Sequence, residues 1–264
     1  MKTVVIAPRG KMGSAIVRVA AERADLRLVA AVGAPGAAYI GRDLGEVALL
    51  GRPLGVPVTD DLETAVAACD VIIDFSAKEM APAVIAAALR HGKALVCGTT
   101  ALGEAVRAQL EAASARIPVM HAANTSRMVF VLNRMLAMAA SALGDKADVE
   151  ILDLHDRRKL DAPSGTALEL GETVARARGT ALESVAIYGR RGQGVREDGA
   201  IAFHALRAGD VPSSHTVFLG GLGERLELTH HAYNMDCFAH GACDCAAFLA
   251  GQGPGLYTVA DVFA

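Results

Sequence analysis

One short polar segment in the second half of the chain carries residue types that can move protons and bind anions. Residues 154–167 read LHDRRKLDAPSGTA, which places His155 four positions before Lys159 and puts Ser164, Gly165 and Thr166 at a predicted helix start. A histidine can act as a general acid near neutral pH, and a lysine can donate a proton or pair with a carboxylate. The N–H groups of a helix start bind anions. The segment therefore indicates a proton-transfer site beside a carboxylate-binding site.

A second candidate segment lies near the N-terminus, where residues 7–13 read APRGKMG between a predicted strand and a predicted helix. Glycines in such a turn let the backbone approach a dinucleotide pyrophosphate, which the helix start then binds. The pattern is incomplete, because Ala7 stands where a first glycine is usual, and an ordinary strand-to-helix turn is the alternative. Its position at the first strand–helix junction favours the dinucleotide interpretation. The predicted cofactor-binding residues here are Ala7, Arg9, Gly10, Lys11, Met12 and Gly13.

The residues after the second predicted strand bear on the choice of cofactor. That strand ends in Gly33 and Ala34, where an acidic residue would normally bind the adenosine ribose. Without that carboxylate a 2′-phosphate is not repelled, and Arg9 and Lys11 can supply positive charge for it. The sequence favours NADPH over NADH, and the alternative is that both cations are solvated loop residues.

Two kinds of hydrophobic pattern must position these segments. Up to residue 124, strands predicted at 2–7, 26–32, 71–76, 94–100 and 118–124 alternate with helices at 14–22, 79–91 and 103–115. This alternation predicts a Rossmann-like, doubly wound parallel sheet. Beyond it, helices at 128–143 and 164–176 and strands at 148–155, 200–207, 216–220 and 224–232 predict an α+β domain with an open mixed sheet. We expect a dinucleotide-binding domain at 1–124, completed by 234–264, and a substrate-binding and oligomerisation domain at 125–233.

Composition excludes several other classes of protein. The 264 residues carry a net charge of −3 with scattered cations, which argues against a nucleic-acid partner. No uninterrupted apolar run approaches the roughly 20 residues of a membrane span. The five cysteines suit no disulfide framework, and the Cys243–Cys245 pair lacks a partner pair for a metal, so no metal is expected. These features predict a reduced, cytoplasmic enzyme that acts on a small molecule.

The chain resembles the 4-hydroxy-tetrahydrodipicolinate reductase (dihydrodipicolinate reductase) family of bacterial and plant lysine and diaminopimelate synthesis. The resemblance runs nearly end to end, and KLDAPSGTA at 159–167 is its most specific segment. The other matching segments are PRGKMG (8–13), DFS (74–76), CGTT (97–100), FHALRAGDV (203–211), HTVFL (215–219), GERLELTHHA (223–232) and LYTVADV (256–262).

The resemblance implies roles for particular residues. It makes His155 a proton donor and acceptor, Lys159 a proton donor, and Gly165 and Thr166 ligands of a substrate carboxylate. Asp156, Lys159 and Ser164 would complete the substrate contacts. The cofactor residues that it adds are Phe75, Gly98, Thr99, Thr100, Ala122, Ala123, Asn124 and Thr125. It further implies NAD(P)H-dependent reduction of 4-hydroxy-tetrahydrodipicolinate, through dihydrodipicolinate, to tetrahydrodipicolinate by a homotetramer built through the C-terminal domain's sheet.

Several positions depart from the family pattern. Asp156 replaces the second of two adjacent histidines, residues 124–130 (NTSRMVF) lack a glycine, and residues 229–231 read THH instead of a threonine-histidine-lysine. Two alternatives follow. One is a paralogous NAD(P)H-dependent imine or enamine reductase acting on another small substrate. The other is a dinucleotide-binding regulator without catalysis.

Overall fold

The computed structural model describes residues 1–100 and 102–264, which form two compact units. The first unit combines Met1–Arg127 with Met235–Ala264, and the second is Met128–Asn234. The chain thus leaves the first unit once and returns to it at its C-terminal end.

The first unit is built on a seven-stranded sheet in the order β12-β6-β5-β4-β1-β2-β3. All of its neighbouring strands pair parallel. The strands are β1 (Lys2–Ile6), β2 (Arg27–Val32), β3 (Val58–Thr59), β4 (Val71–Asp74), β5 (Ala94–Cys97), β6 (Pro118–His121) and β12 (Gly255–Tyr257). The helices are α1 (Lys11–Ala21), α2 (Leu44–Val47), α3 (Leu62–Ala67), α4 (Ala81–His91), α5 (Glu104–Ser114), α9 (Asp236–Leu249) and α10 (Val259–Phe263). The predicted doubly wound parallel sheet is confirmed.

Helices cover both faces of this sheet, which is why its central strands are apolar on both sides. One apolar core joins α1 and α9 to the sheet, and a second joins α3, α4 and α5 to its other face. The small residues of α9 include Cys243 and Cys245, both fully buried. Burial raises the pKa of each of these thiols to about 12, so they act as small apolar side chains here.

The second unit is a five-stranded mixed sheet in the order β11-β10-β7-β9-β8. Strand β10 runs antiparallel to β11 and β7, whereas β7, β9 and β8 run parallel to one another. The strands are β7 (Asp148–His155), β8 (Ala186–Tyr188), β9 (Ile201–Arg207), β10 (Ser213–Gly221) and β11 (Glu224–Ala232). The helices are α6 (Arg127–Leu143), α7 (Gly165–Ala177) and α8 (Leu182–Val185), with one 3₁₀ turn at Gly144–Lys146. The predicted mixed sheet is confirmed.

Strand β7 shows how the sequence pattern sets the faces of this sheet. Its residues alternate between less and more buried positions, and Val149 and Ile151 pack in the core with α6 and α7. Because side chains alternate across a strand, Asp153 and His155 share that helix-covered face. Both side chains are buried.

Length and composition would allow one helical stretch among the described residues, Arg127–Lys146, to cross a membrane. Its most apolar window has a mean hydropathy of 1.3, and 22% of that window is buried. The stretch is not one uninterrupted apolar run, because Arg134 and other polar residues interrupt it. Core helices of soluble proteins pass the same test, so the finding is weak support for a membrane span.

Candidate active site

The loop after β1 has the backbone geometry of a dinucleotide-binding turn. Ala7 adopts the left-handed conformation (φ 56°), which L-residues other than glycine rarely occupy. This explains why a glycine is usual at that position. A Cβ atom on Gly13 would lie 2.0 Å from the carbonyl oxygen of Ala7, so only glycine lets α1 approach β1 this closely. The incomplete sequence pattern therefore still folds into the close-packed turn that a dinucleotide requires.

Helix α1 begins directly after this turn. Its N-cap is Gly10, and among the described residues no side chain caps it. Arg9 and Lys11 are exposed on either side of Gly10, whereas Met12 is half-buried. A helix start of this kind presents N–H groups and a partial positive charge to an anion. The residues present fit a pyrophosphate at this end of the sheet.

Tyr39 occupies the space beside Gly33 at the end of β2. A Cβ atom on Gly33 would lie 2.5 Å from the Tyr39 ring, and the Tyr39 hydroxyl accepts a hydrogen bond from the Ala34 N–H at 3.2 Å. The Arg9 guanidinium lies over the same ring, 5.7 Å from its centroid. An acidic side chain at position 33 would displace the Tyr39 ring. The packing of Tyr39 against Gly33 therefore explains why no ribose-binding carboxylate stands at this position.

The ends of β4 and β5 bring Phe75 and Gly98 into contact. A Cβ atom on Gly98 would lie 2.1 Å from the Phe75 ring, so glycine is needed for this packing. Beside it, the Thr99 hydroxyl donates to the Ser76 carbonyl at 3.2 Å, and Thr100 is exposed. Since both strands are parallel to β1, these residues and the glycine loop lie at the carboxyl edge of one sheet, where α/β proteins bind dinucleotides.

The predicted cofactor residues that follow β6 differ in burial and in their hydrogen-bond partners. Ala122 is buried and its N–H donates to the Cys97 carbonyl, whereas Ala123 is exposed. The Asn124 side-chain oxygen accepts from the Ser126 N–H at 2.8 Å. Thr125 is buried, and its hydroxyl donates to the Phe238 carbonyl of α9 at 2.7 Å. The side chain of Thr125 is thus engaged in joining two segments of the first unit.

In the second unit, His155 ends β7 and contacts a buried carboxylate. Its Nδ1 lies 2.5 Å from Oδ1 of Asp153, and the Asp153 side chain is fully buried. The contact is a close ion pair, because within the described part of the chain Nδ1 meets no partner at hydrogen-bonding angles. The imidazole is buried too, with a relative exposure of 8%. A histidine in this setting is oriented by its carboxylate, as the proton-transferring histidines of many enzymes are.

The start of α7 is joined to the same carboxylate. The Ser164 N–H donates to Oδ2 of Asp153 at 2.5 Å. The Ser164 hydroxyl caps α7 by accepting from the Ala167 N–H at 3.1 Å and contacts Nε2 of His215 at 2.9 Å. Gly165 and Thr166 form the first turn of the helix. The structure therefore brings His155 and the Ser164–Gly165–Thr166 helix start together, as predicted from the sequence.

Lys159 and Asp156 lie in the turn between β7 and α7. The Lys159 ammonium pairs with Asp161 at 2.9 Å, and the Lys159 side chain is about three-quarters buried. Oδ1 of Asp156 accepts from the Arg158 N–H at 2.8 Å and lies 3.6 Å from the Arg158 guanidinium. The carboxylate of Asp156 is thus part of the turn itself, with a cation beside it.

Sequence reasoning missed Asp153, Arg207 and His215, which surround His155. Both outer nitrogens of the Arg207 guanidinium lie 3.4 Å from the Asp153 carboxylate, and the His215 ring packs edge-on against His155 with centroids 5.2 Å apart. Burial lowers the pKa of His215 to about 3, so this ring is neutral. The signal for Asp153 was its period-two spacing from His155. Arg207 and His215 come from distant strands, and only their presence in two matching segments pointed to them.

Comparison with known sequences assigns both units to one protein family. The model of the dihydrodipicolinate reductase N-terminus matches residues 1–125, and that of the C-terminus matches residues 128–263. This chain belongs to the dihydrodipicolinate reductase family. It is 46% identical over 259 residues to the 4-hydroxy-tetrahydrodipicolinate reductase of Alkalilimnicola ehrlichii, covering 98% of this chain and 97% of that protein. Identity to the reductase of Halorhodospira halophila is 45% over the same shares. The resemblance noted from the motifs is confirmed.

Solved structures support the fold. A dipicolinate-bound dihydrodipicolinate reductase from Paenisporosarcina sp. TG-14 superposes with a TM-score of 0.74 at 23% identity, covering 98% of this chain and 97% of that one. An amine dehydrogenase from Mycobacterium smegmatis gives a TM-score of 0.62 at 14% identity, covering 98% and 95%. The reductase family thus shares its architecture with dehydrogenases of low sequence identity.

Proposed function

We propose that this protein catalyses the NAD(P)H-dependent reduction of 4-hydroxy-tetrahydrodipicolinate, through dihydrodipicolinate, to tetrahydrodipicolinate in lysine and diaminopimelate biosynthesis. The observation that carries the proposal is the pairing of His155 with the Ser164–Gly165–Thr166 helix start through one buried carboxylate. It places a proton-transferring imidazole beside an anion-binding helix start. Membership of the family, with relatives of that name at about 45% identity over nearly the full chain, supports the same reaction.

The residues have distinct tasks in this reaction. The first unit is the dinucleotide-binding domain, and the cofactor supplies a hydride when it is bound there. In the second unit, the N–H groups at Gly165 and Thr166 bind a substrate carboxylate. His155 and Lys159 deliver the proton that accompanies reduction. In the free protein the Lys159 ammonium pairs with Asp161 in the turn, and an anionic substrate can replace Asp161 as its partner.

The cofactor preference that we propose is NADPH over NADH. Exposed Arg9 and Lys11 flank the start of α1, and the Tyr39 ring fills the place of a ribose-binding acid. An Arg9→Ala variant tests this directly, because losing a charged hydrogen bond of about 1.5–3 kcal/mol should raise KM for NADPH by about tenfold or more while leaving KM for NADH nearly unchanged. An equal rise of KM for NADPH and for NADH would show that Arg9 does not bind the 2′-phosphate.

Activity is tested with purified protein, NADPH and substrate formed in situ from pyruvate and aspartate semialdehyde. The proposal expects NADPH oxidation at 340 nm that depends on both precursors and on the condensing enzyme. Replacing His155 with alanine should lower kcat by about 10²–10⁴-fold. Oxidation at background would refute the lysine-pathway assignment, and turnover of another cyclic imine instead would favour the paralogous reductase. Cofactor binding without any turnover would favour a regulator.

We propose further that the protein is a cytoplasmic homotetramer joined through the sheet of its second unit. Leu152, Leu154 and Leu206 lie on the sheet face that α6 and α7 leave uncovered, and Leu206 is 45% exposed. Free cysteines suit a reducing compartment. Light scattering should give about four times the chain mass of 27.3 kDa, whereas a monomer mass would contradict the assembly.

A further inference from the structure

The carboxylate of Asp153 contacts two groups of the site with two different oxygens. Oδ1 faces Nδ1 of His155, and Oδ2 accepts the backbone N–H of Ser164, both at 2.5 Å. His155 ends a strand and Ser164 caps a helix nine residues further along the chain. One side chain therefore fixes the separation of the proton-transferring ring from the anion-binding helix start.

We propose that Asp153 is a positioning residue for the reduction: it holds the His155 imidazole with Nδ1 protonated, so that Nε2 exchanges the proton with substrate, and it anchors the start of α7. The inference rests on the proposed function. The tautomer follows from chemistry, because a carboxylate only accepts hydrogen bonds and the ring nitrogen facing it must donate. An orienting carboxylate also stabilises the imidazolium that forms when His155 takes up a proton.

The surroundings keep Asp153 ionised. Burial by itself would raise the pKa of this carboxyl, but the close contact with the His155 ring and the hydrogen bond from the Ser164 N–H hold it well below its ordinary value. Arg207, on β9, places its guanidinium 3.4 Å away. Nε2 of His215, on β10, lies 4.0 Å from Oδ1 of Asp153, and Lys159 and His230 lie near His215 in turn. The carboxylate therefore carries a negative charge at the pH of the assay.

The same side chains do not suit a metal ion. Candidate ligand atoms of Asp153, His155 and His215 lie within 4.8 Å of one another. Two ligands of a tetrahedral zinc ion, each about 2.0–2.1 Å from it, lie roughly 3.3 Å apart. The 2.5 Å separation between Asp153 and His155 is shorter than this, so the pair lacks the spacing of two ligands of one zinc ion.

Asp153→Asn is the most informative variant. An amide has one acceptor oxygen, so it can serve the His155 ring or the Ser164 N–H but not both. We expect kcat to fall by about 10²-fold or more. Because the charge that stabilises the imidazolium is gone, the high-pH limb of the kcat/KM profile should move to lower pH by about one unit. Asp153→Glu, which restores the charge and both acceptors, should return that limb towards its wild-type position.

Asp148→Asn is the matched control. It makes the same change on the same strand, at an exposed residue that pairs with Arg196 at 2.9 Å. Its kcat and pH profile should stay within twofold, or about 0.4 kcal/mol, of wild type. Competitive inhibition by dipicolinate, measured for each variant, separates loss of carboxylate binding from loss of proton transfer.

The wild-type protein offers a measurement that needs no variant. In protein with ¹⁵N-labelled histidine, the neutral His155 ring should show protonated Nδ1 and unprotonated Nε2. The opposite tautomer would overturn the inference, and so would an Asp153→Asn enzyme that matches Asp148→Asn, or one that loses kcat with an unmoved pH limb. If the wild-type enzyme does not reduce the substrate at all, the proposed function fails instead, while the tautomer measurement still stands.

Discussion

Neutral, buried His215 should make the second unit less stable as the pH falls below neutrality. Burial lowers its pKa to about 3, against 6.5 for an unfolded histidine. Between these two pH values the unfolded chain binds a proton at His215 that the folded protein does not bind. The contribution of neutral His215 to the free energy of unfolding is therefore fully present above pH 6.5 and is lost progressively as the pH falls. For these two pKa values the linkage relation gives a loss of about 2 kcal/mol between pH 7 and pH 5.

Replacing His215 with glutamine isolates this contribution. Glutamine does not titrate, yet its side-chain oxygen can still accept from the Ser164 hydroxyl that now contacts Nε2. The free energy of unfolding, measured by urea titration with far-UV circular dichroism, should fall by about 2 kcal/mol less between pH 7 and pH 5 in His215→Gln than in wild type. Identical pH slopes, or a His215 ring that titrates above pH 5 by NMR, would refute the reasoning.

Three more substitutions test other parts of the structure. Ala7→Gly should stabilise the first unit by about 1 kcal/mol in urea unfolding, because it relieves the left-handed strain of an L-residue; a loss of stability would contradict the strain. Gly13→Ala should abolish NADPH binding by calorimetry and lower the melting temperature, since its Cβ would lie 2.0 Å from a backbone oxygen; normal binding would show that the turn is not close-packed. Asp156→His should change kcat/KM less than about threefold, because Asp156 is bound into its own turn. A large gain would show that this residue had tuned the enzyme away from the family substrate.

Local patterns predicted most of the fold. Strands β7 and β11 begin and end where the sequence pattern placed them, because alternation of apolar and polar residues is specific for a half-buried strand. The sequence pattern predicts no element in residues 33–70, which hold α2, α3 and the two-residue strand β3. Elements this short bury too few side chains to show a period, and contacts elsewhere in the unit decide their conformation.

For the candidate site too, the sequence predicted the residues that lie close together in the chain and missed those that come from distant strands. His155, Lys159 and Ser164 lie within ten residues, so one segment displayed them together. Arg207 and His215 reach Asp153 from β9 and β10, about 50 residues or more away in sequence. Spacing along the chain carries no information about such contacts, and a single polar residue inside a strand does not reveal its partner.

Asp156, the departure that raised doubt about the substrate, is better explained by its surroundings than by a change of chemistry. Its carboxylate accepts the Arg158 N–H at 2.8 Å and has the guanidinium of Arg158 at 3.6 Å, so much of its charge is compensated locally. Asp153 is instead buried against the His155 ring. Two carboxylates three residues apart therefore differ in their surroundings: one closes a turn, and the other lies between His155 and the start of α7.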